Sequence, residues 1–323
     1  MSECKATPPP LTGTLALYQT SPIPLPYFES NGSHPNKLVF IPGLTDTMGV
    51  VPYLPRLAQT LDKIGYSLVQ FVKCSDLGGF GTSSLEGDAQ EIAQLVEHLK
   101  SRDTAPCTGK LVVMGHSTGC QDVIQLLSRD RALSSTKPGS LIHIDGGICQ
   151  APVSDYEFFK HSLDSNPLGQ QQWAESQSLL DKGKPSALLS REHVAPVPAS
   201  THGRGPGNSE VALNPAFTAY RFASLNGPNG DDDFFSTNLP DERVQEVLQP
   251  ALSRASLLML LGEEDEYVPT KANVPAMTER WHRVLHSDRF HTAFIPKASH
   301  KVDNESAQVF LCNTVSAFLQ DLH

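Results

Sequence analysis

KLVVMGHSTGCQDVIQLLSR, residues 110–129, joins an apolar run to a helical pattern across Gly-His-Ser-Thr-Gly. Leu111, Val112, Val113 and Met114 read as a short, fully buried strand, and Val123, Ile124, Leu126 and Leu127 fall on one helical stripe. A serine at such a junction occupies a nucleophile elbow, where a strained backbone lifts its hydroxyl clear of the sheet. Gly115 and Gly119 fit that turn, because a Cβ at either position would meet the neighbouring strand or helix. The plainer alternative is a chance five-residue match in which Ser117 only caps the helix beginning near Cys120. The flanking strand and helix favour the elbow.

A serine hydroxyl is a weak nucleophile unless a base takes its proton and a third group orients the base. Both follow in the chain order Ser, acid, His. After SLLMLLG (256–262) comes EEDEYVP, in which Asp265 stands three positions beyond Gly262 and just before Val268-Pro269. Glu264 is the alternative acid, and a solvated acidic turn is the plain reading of its neighbours. After HTAFIPKA (291–298) comes SHKVD, which sets His300 between the last strand and the last helix. The other histidines stand less well: His291 enters a strand, His143 lies within one, His282 and His286 follow a helix, and the elbow turns His116 away from Ser117. The developing oxyanion also needs backbone donors. The N–H of Thr118 is one, and the amide of Leu44, in the loop after LVFIPG (38–43), is the other. Thr45 and Asp46 line the same loop, with helix capping as their alternative task.

The strand runs LTGTLALYQ, KLVFIPG, YSLVQFVK, KLVVMG, SLIHIDGGICQ, SLLMLLG and HTAFIPKA alternate in large part with helical patterns such as EGDAQEIAQLVEHLK. That order predicts an α/β fold: a mostly parallel sheet flanked by helices, with functional groups at the carboxyl ends of the strands. Regularity fails over residues 151–250, where loop-rich pieces such as THGRGPGNSE interrupt polar helices. Residues 1–150 and 251–323 are therefore expected to form the core, and 151–250 an inserted lid. DLGGFGTSS (76–84) lacks the Lys of a phosphate-binding loop and reads as a structural turn beside the active site.

The chain has 323 residues and a formal net charge of -10, and its Lys and Arg residues form no cluster, which excludes a nucleic-acid-binding surface. MSECKATPPPLTG has no basic and apolar leader pattern, and no run approaches the roughly 20 apolar residues of a membrane span. A cytoplasmic protein with no membrane partner is expected. Six scattered cysteines without a C-x-x-C pair signal neither zinc nor a disulfide framework. A serine triad needs no metal or cofactor, and none is expected.

With the elbow, GEEDEYVP (262–269) and ASHKV (298–302) in place, the chain resembles an α/β-hydrolase over nearly all its length except the insertion. FIPGLTD (40–46), ICQAPVSDYE (148–157), TAYRFASL (218–225) and DDDFFSTNL (231–239) are similar to a fungal and plant group known as a domain of unknown function. Its characterised fungal members are intracellular siderophore esterases that cleave fusarinine-type ester bonds. The resemblance implies Ser117, Asp265 and His300 as the triad and a small-molecule ester, with or without bound iron, as substrate. It also implies that Gln150, Pro152, Tyr220, Arg221 and Phe234 approach the substrate, beside Thr45 of the oxyanion loop. Lid anchoring by Tyr220 and Phe222, and an exposed loop at Asp231, Asp232 and Asp233, are the alternatives there. A general carboxylesterase or thioesterase, and a catalytically inactive binding protein, are the competing functions.

Overall fold

Strands buried on both faces pair in parallel under helices, and the central runs of this chain are of that kind. The computed structural model describes residues 10–32, 34–128, 142–190, 215–269 and 271–322. Within them β1 (Gly13–Gln19), β2 (Leu25–Ser30), β3 (Asn36–Ile41), β4 (Tyr66–Phe71), β5 (Leu111–His116), β6 (Gly146–Gln150), β7 (Ser256–Gly262) and β8 (Phe290–Ile295) form one sheet in the order β1-β2-β4-β3-β5-β6-β7-β8. The pairs β1–β2 and β2–β4 are antiparallel, and every later pair is parallel. Every residue of β4, β5 and β6 is buried.

Helices cover both faces of this sheet. On one side α1 (Leu54–Lys63) and α9 (Glu305–Asp321) bury Leu54, Leu57, Leu61, Leu311, Val315 and Leu319 against Leu38, Val112, Ile148 and Leu258. On the other, α2 (Leu85–Ser101), α3 (Gly119–Ser128) and α8 (Val274–Leu285) pack with Val39, Val113, Cys149 and Met259. Local chemistry sets the helix starts: Ser84 accepts from the N–H of Gly87 at 3.1 Å and Asn304 from that of Ala307 at 2.8 Å.

The sixth strand is shorter than the run SLIHIDGGICQ predicts. Its first two residues lie outside the described residues, and His143 is exposed ahead of the strand. The Asp145 carboxylate takes the N–H of Leu111 at 2.8 Å, so a side chain ends the ladder before Gly146.

Between β6 and β7 lie α4 (Asp155–Leu163), α5 (Pro167–Asp181), α6 (Ala219–Asn226) and α7 (Asp241–Arg254). Phe80, Leu189, Phe217, Ala219, Phe222 and Leu225 form a hydrophobic cluster of their own, with Phe159, Trp173 and Leu44 packed against it. Helix α7 instead buries Val244, Val247 and Leu248 in the main core. It therefore lies across the lid boundary drawn at residue 250. The loop THGRGPGNSE falls outside the described residues. Among the described residues no helix is long and apolar enough to cross a membrane.

Candidate active site

Ser117 follows β5 with φ +54°, the left-handed backbone that the elbow requires of a residue with a side chain. Such a conformation costs on the order of 1–3 kcal/mol and persists only where its surroundings over-determine it. Its N–H donates to the carbonyl of Gln150 at 3.0 Å, which ties the turn to β6. Gly43 makes the close approach possible from the other side. A Cβ there would lie 2.7 Å from Cβ of Ser117 and 3.0 Å from the carbonyl oxygen of His116. The loop that carries Leu44 is thus pressed directly against the serine.

The expected acid and base come from the ends of β7 and β8. His300 Nδ1 lies 2.8 Å from Oδ2 and 3.0 Å from Oδ1 of Asp265, and both side chains are buried. Oδ1 also accepts the N–H of Tyr267 at 2.9 Å, so the carboxylate is held at two points. Glu263 and Glu264 are exposed on the same turn, and the carboxylate facing His300 is that of Asp265. Glu266, which spacing gave no task, accepts the N–H of His300 at 2.9 Å. The imidazole contacts two rings, Tyr267 at 4.5 Å and His116 at 4.9 Å between centroids.

Gln150 connects these parts. Its Oε1 accepts from Tyr53 at 2.9 Å and lies 2.6 Å from Nδ1 of His116, and its Nε2 donates to the carbonyl of His300 at 3.2 Å. Ser117 and His300 are therefore bound to one fully buried residue. Gln150, expected to approach the substrate, thus has these protein partners. Arg221 and Phe234, expected in the same role, have protein partners too. The Arg221 guanidinium is buried on Asp232 at 2.6 Å and on the carbonyl of Phe80 at 3.1 Å. Phe234 packs in the main core beside Phe235.

The remaining expected contacts stay near open space. Tyr220 is 36% exposed and donates to Asp231 at 2.5 Å. Thr45 and Thr118 are half-buried at the elbow and its facing loop. Pro152 lines a cavity of about 360 Å³ with Ala151, Leu261, Asp265, Val268 and Phe294, so open volume adjoins the proposed acid.

Under the elbow helix lies a layer of buried charge. Lys73 is 2.8 Å from Asp122 and 3.6 Å from Asp88. Burial pushes the Asp122 carboxyl up to about 7, with Lys73 acting in the opposite sense. Desolvation, then the negative charge of Asp232, pushes Asp155 up to about 7, and its Oδ2 accepts from Nε2 of Gln121 at 3.1 Å. Among the described residues no three His, Cys, Asp or Glu side chains gather as a metal site.

A buried Asp-His pair at the ends of β7 and β8 and a strained serine at the end of β5, all at the carboxyl ends of one parallel sheet, are the parts used in acyl transfer. A family model described as "Protein of unknown function (DUF1749)" matches residues 1–320. The chain belongs to the DUF1749 family. Fusarinine C esterase sidJ of Aspergillus fumigatus is 30% identical over 345 residues, covering 97% of this chain and 96% of its own. The solved siderophore hydrolase EstB from Aspergillus fumigatus superposes with a TM-score of 0.78 at 27% identity, covering 97% of this chain and 98% of that one. An α/β-hydrolase fold protein of unknown function superposes at 0.64 with 21% identity and 97% coverage of each chain, a likeness of fold. The architecture is that of an α/β-hydrolase, with an eight-stranded, mostly parallel sheet.

Proposed function

We propose that this protein, an ester-cleaving hydrolase of the DUF1749 family, cleaves the ester bonds of a fusarinine-type hydroxamate siderophore through Ser117, His300 and Asp265. The observation that carries the chemistry is the 2.8 Å contact between His300 Nδ1 and the buried Asp265 carboxylate, with Gln150 binding the His300 and Ser117 loops together. The substrate class is supported by the two Aspergillus fumigatus relatives, whose names state fusarinine C esterase and siderophore hydrolase.

In this mechanism Ser117 Oγ attacks the ester carbonyl while His300 Nε2 takes the hydroxyl proton. Asp265 holds the Nδ1–H tautomer and stabilises the imidazolium. The amides of Leu44 and Thr118 receive the oxyanion, each donor contributing about 3 kcal/mol to the transition state. Collapse of the tetrahedral adduct breaks the bond to the alcohol oxygen, which leaves with the proton from His300. Water, deprotonated by the same imidazole, then hydrolyses the acyl-enzyme and regenerates Ser117. Tyr220, Thr45 and Pro152 are proposed to contact the substrate, a role supported for Pro152 by the cavity it lines next to Asp265.

The test compares kcat/KM on ferric and iron-free fusarinine C with that on p-nitrophenyl acyl esters, with Ser117→Ala as control and mass spectrometry of the products. Preferential breakdown of fusarinine C, abolished in Ser117→Ala, is expected. Preference for the simple esters with no siderophore cleavage overturns the substrate assignment and leaves a general carboxylesterase. More than about a tenth of wild-type activity in Ser117→Ala removes the serine from the mechanism, because losing a triad nucleophile costs several orders of magnitude.

A further inference from the structure

Backbone positions around the site that have side chains and positive φ include Ser117 at +54°, Ala151 at +54°, Thr45 at +67° and Val302 at +55°. The elbow accounts for the first. Thr45 and Val302 are β-branched, the residue type least suited to left-handed backbone, so each marks a loop held against its own preference. Each is adjacent to one member of a buried ion pair. Asp46 follows Thr45, Lys301 precedes Val302, and Lys301 Nζ lies 2.8 Å from Asp46 Oδ1 across 255 residues of chain. Both residues are buried.

The two loops carry the oxyanion donor and the base. The N–H of Asp46 returns to the carbonyl of Gly43 at 3.1 Å, closing a turn around Leu44 and Thr45, and the N–H of Val302 returns to Ser299 at 3.0 Å, closing a turn around His300 and Lys301. Asp46 Oδ2 further faces Nε2 of His116 at 3.9 Å, and the His116 ring packs on His300. The pair therefore bridges the turn of Leu44 to the turn of His300, and its anion also faces the ring on which His300 rests.

We infer that Asp46 and Lys301 are positioning residues: their ion pair locks the Leu44 turn to the His300 turn, so that the oxyanion donor and the general base keep one fixed spacing around Ser117. This rests on the triad reading above. The pair touches no reacting atom and acts through the geometry of two loops. Its loss is expressed in the transition state, where a displacement of about 1 Å costs on the order of 10²-fold, and little in ground-state affinity.

The experiment measures kcat and KM on a p-nitrophenyl ester for Lys301→Met, Lys301→Arg and the double variant Asp46→Asn/Lys301→Met. Every kcat is normalised to competent sites by fluorophosphonate titration, and thermal unfolding is followed alongside. Lys301→Met is expected to lose about tenfold to a hundredfold in kcat per titrated site with KM within about threefold. Lys301→Arg, which keeps the buried cation, restores kcat to within about threefold of wild type. The double variant buries no lone charge and remains readable if Lys301→Met fails to fold; a loss of about tenfold in its kcat is expected. A kcat per titrated site within twofold of wild type in the double variant overturns the inference, as does a loss confined to KM or to the number of titrated sites. Ser117→Ala separates the two readings. Activity surviving in that variant sinks the triad itself, whereas an inactive Ser117→Ala beside intact Lys301 variants sinks only the strut.

Discussion

Replacing Asp265 by Asn tests how the base is held. The carboxylate makes two contacts that an amide cannot satisfy together: Oδ1 accepts the Tyr267 N–H at 2.9 Å, and Oδ2 faces His300 Nδ1 at 2.8 Å. If the amide oxygen stays on Tyr267, its NH2 points at Nδ1 and drives the proton of His300 to Nε2, where the ring no longer accepts from Ser117. If the amide flips, two N–H groups confront each other at Tyr267 in a buried site, which costs about 1–3 kcal/mol for the unsatisfied donor and about 1 kcal/mol for the lost bond. At 1.36 kcal/mol per factor of ten, the flipped arrangement alone lowers the competent population by about 30-fold to 900-fold. The charge that stabilises the imidazolium is lost in either arrangement, which takes the expected fall in kcat to about 10³ to 10⁴, the upper figure matching the same substitution in a serine protease. Steady-state hydrolysis of a p-nitrophenyl ester, with an unfolding curve for each protein, measures it. Glu264→Gln, on an exposed side chain, is expected to stay within about threefold of wild type. A fall of less than tenfold in folded Asp265→Asn, or a larger fall in Glu264→Gln, refutes the assignment of the acid.

Gly43→Ala places a Cβ 2.7 Å from that of Ser117, and it is expected to destabilise by about 1–3 kcal/mol and to lower kcat at least tenfold, read by denaturant unfolding and the same ester assay. Unchanged kcat would show that the Leu44 loop and the elbow do not need to touch. Asp155 holds its proton more tightly in the folded protein than in the unfolded chain, so the native state loses stability as pH rises from the ordinary carboxylate range, about 4, towards about 7. Asp155→Asn lacks that loss, and its melting temperature relative to wild type is expected to climb across this window. A difference independent of pH would remove the Asp155 carboxyl from the pH response.

The elbow was legible because its requirements are local: a buried strand, two small residues and a helix start fall within twenty residues, and the structure builds Ser117 directly after β5 with positive φ. Asp265 and His300 were legible as places in a strand order, and the structure brings them into contact. What spacing could not supply was the identity of partners far apart in the chain. The resemblance implied that Gln150, Arg221 and Phe234 approach a substrate, but nothing in the spacing named their protein partners: Tyr53 and His116, Asp232, and Phe235. Asp46 was given a helix cap as its alternative task and instead pairs with Lys301. The late start of β6 was equally hidden, since an aspartate that caps a neighbouring strand has no period. Interior polar contacts depend on which loops the fold apposes, and that is settled by packing of the whole sheet.

Leu44 couples the loop at the serine to the insertion. Its amide is the proposed oxyanion donor, while its side chain packs against a cluster built from Phe80 together with Phe217 and Phe222 of the insertion. The loop pressed against Ser117 and the residues between β6 and β7 therefore share one apolar contact, so a substitution within that cluster is felt beside the elbow without touching it.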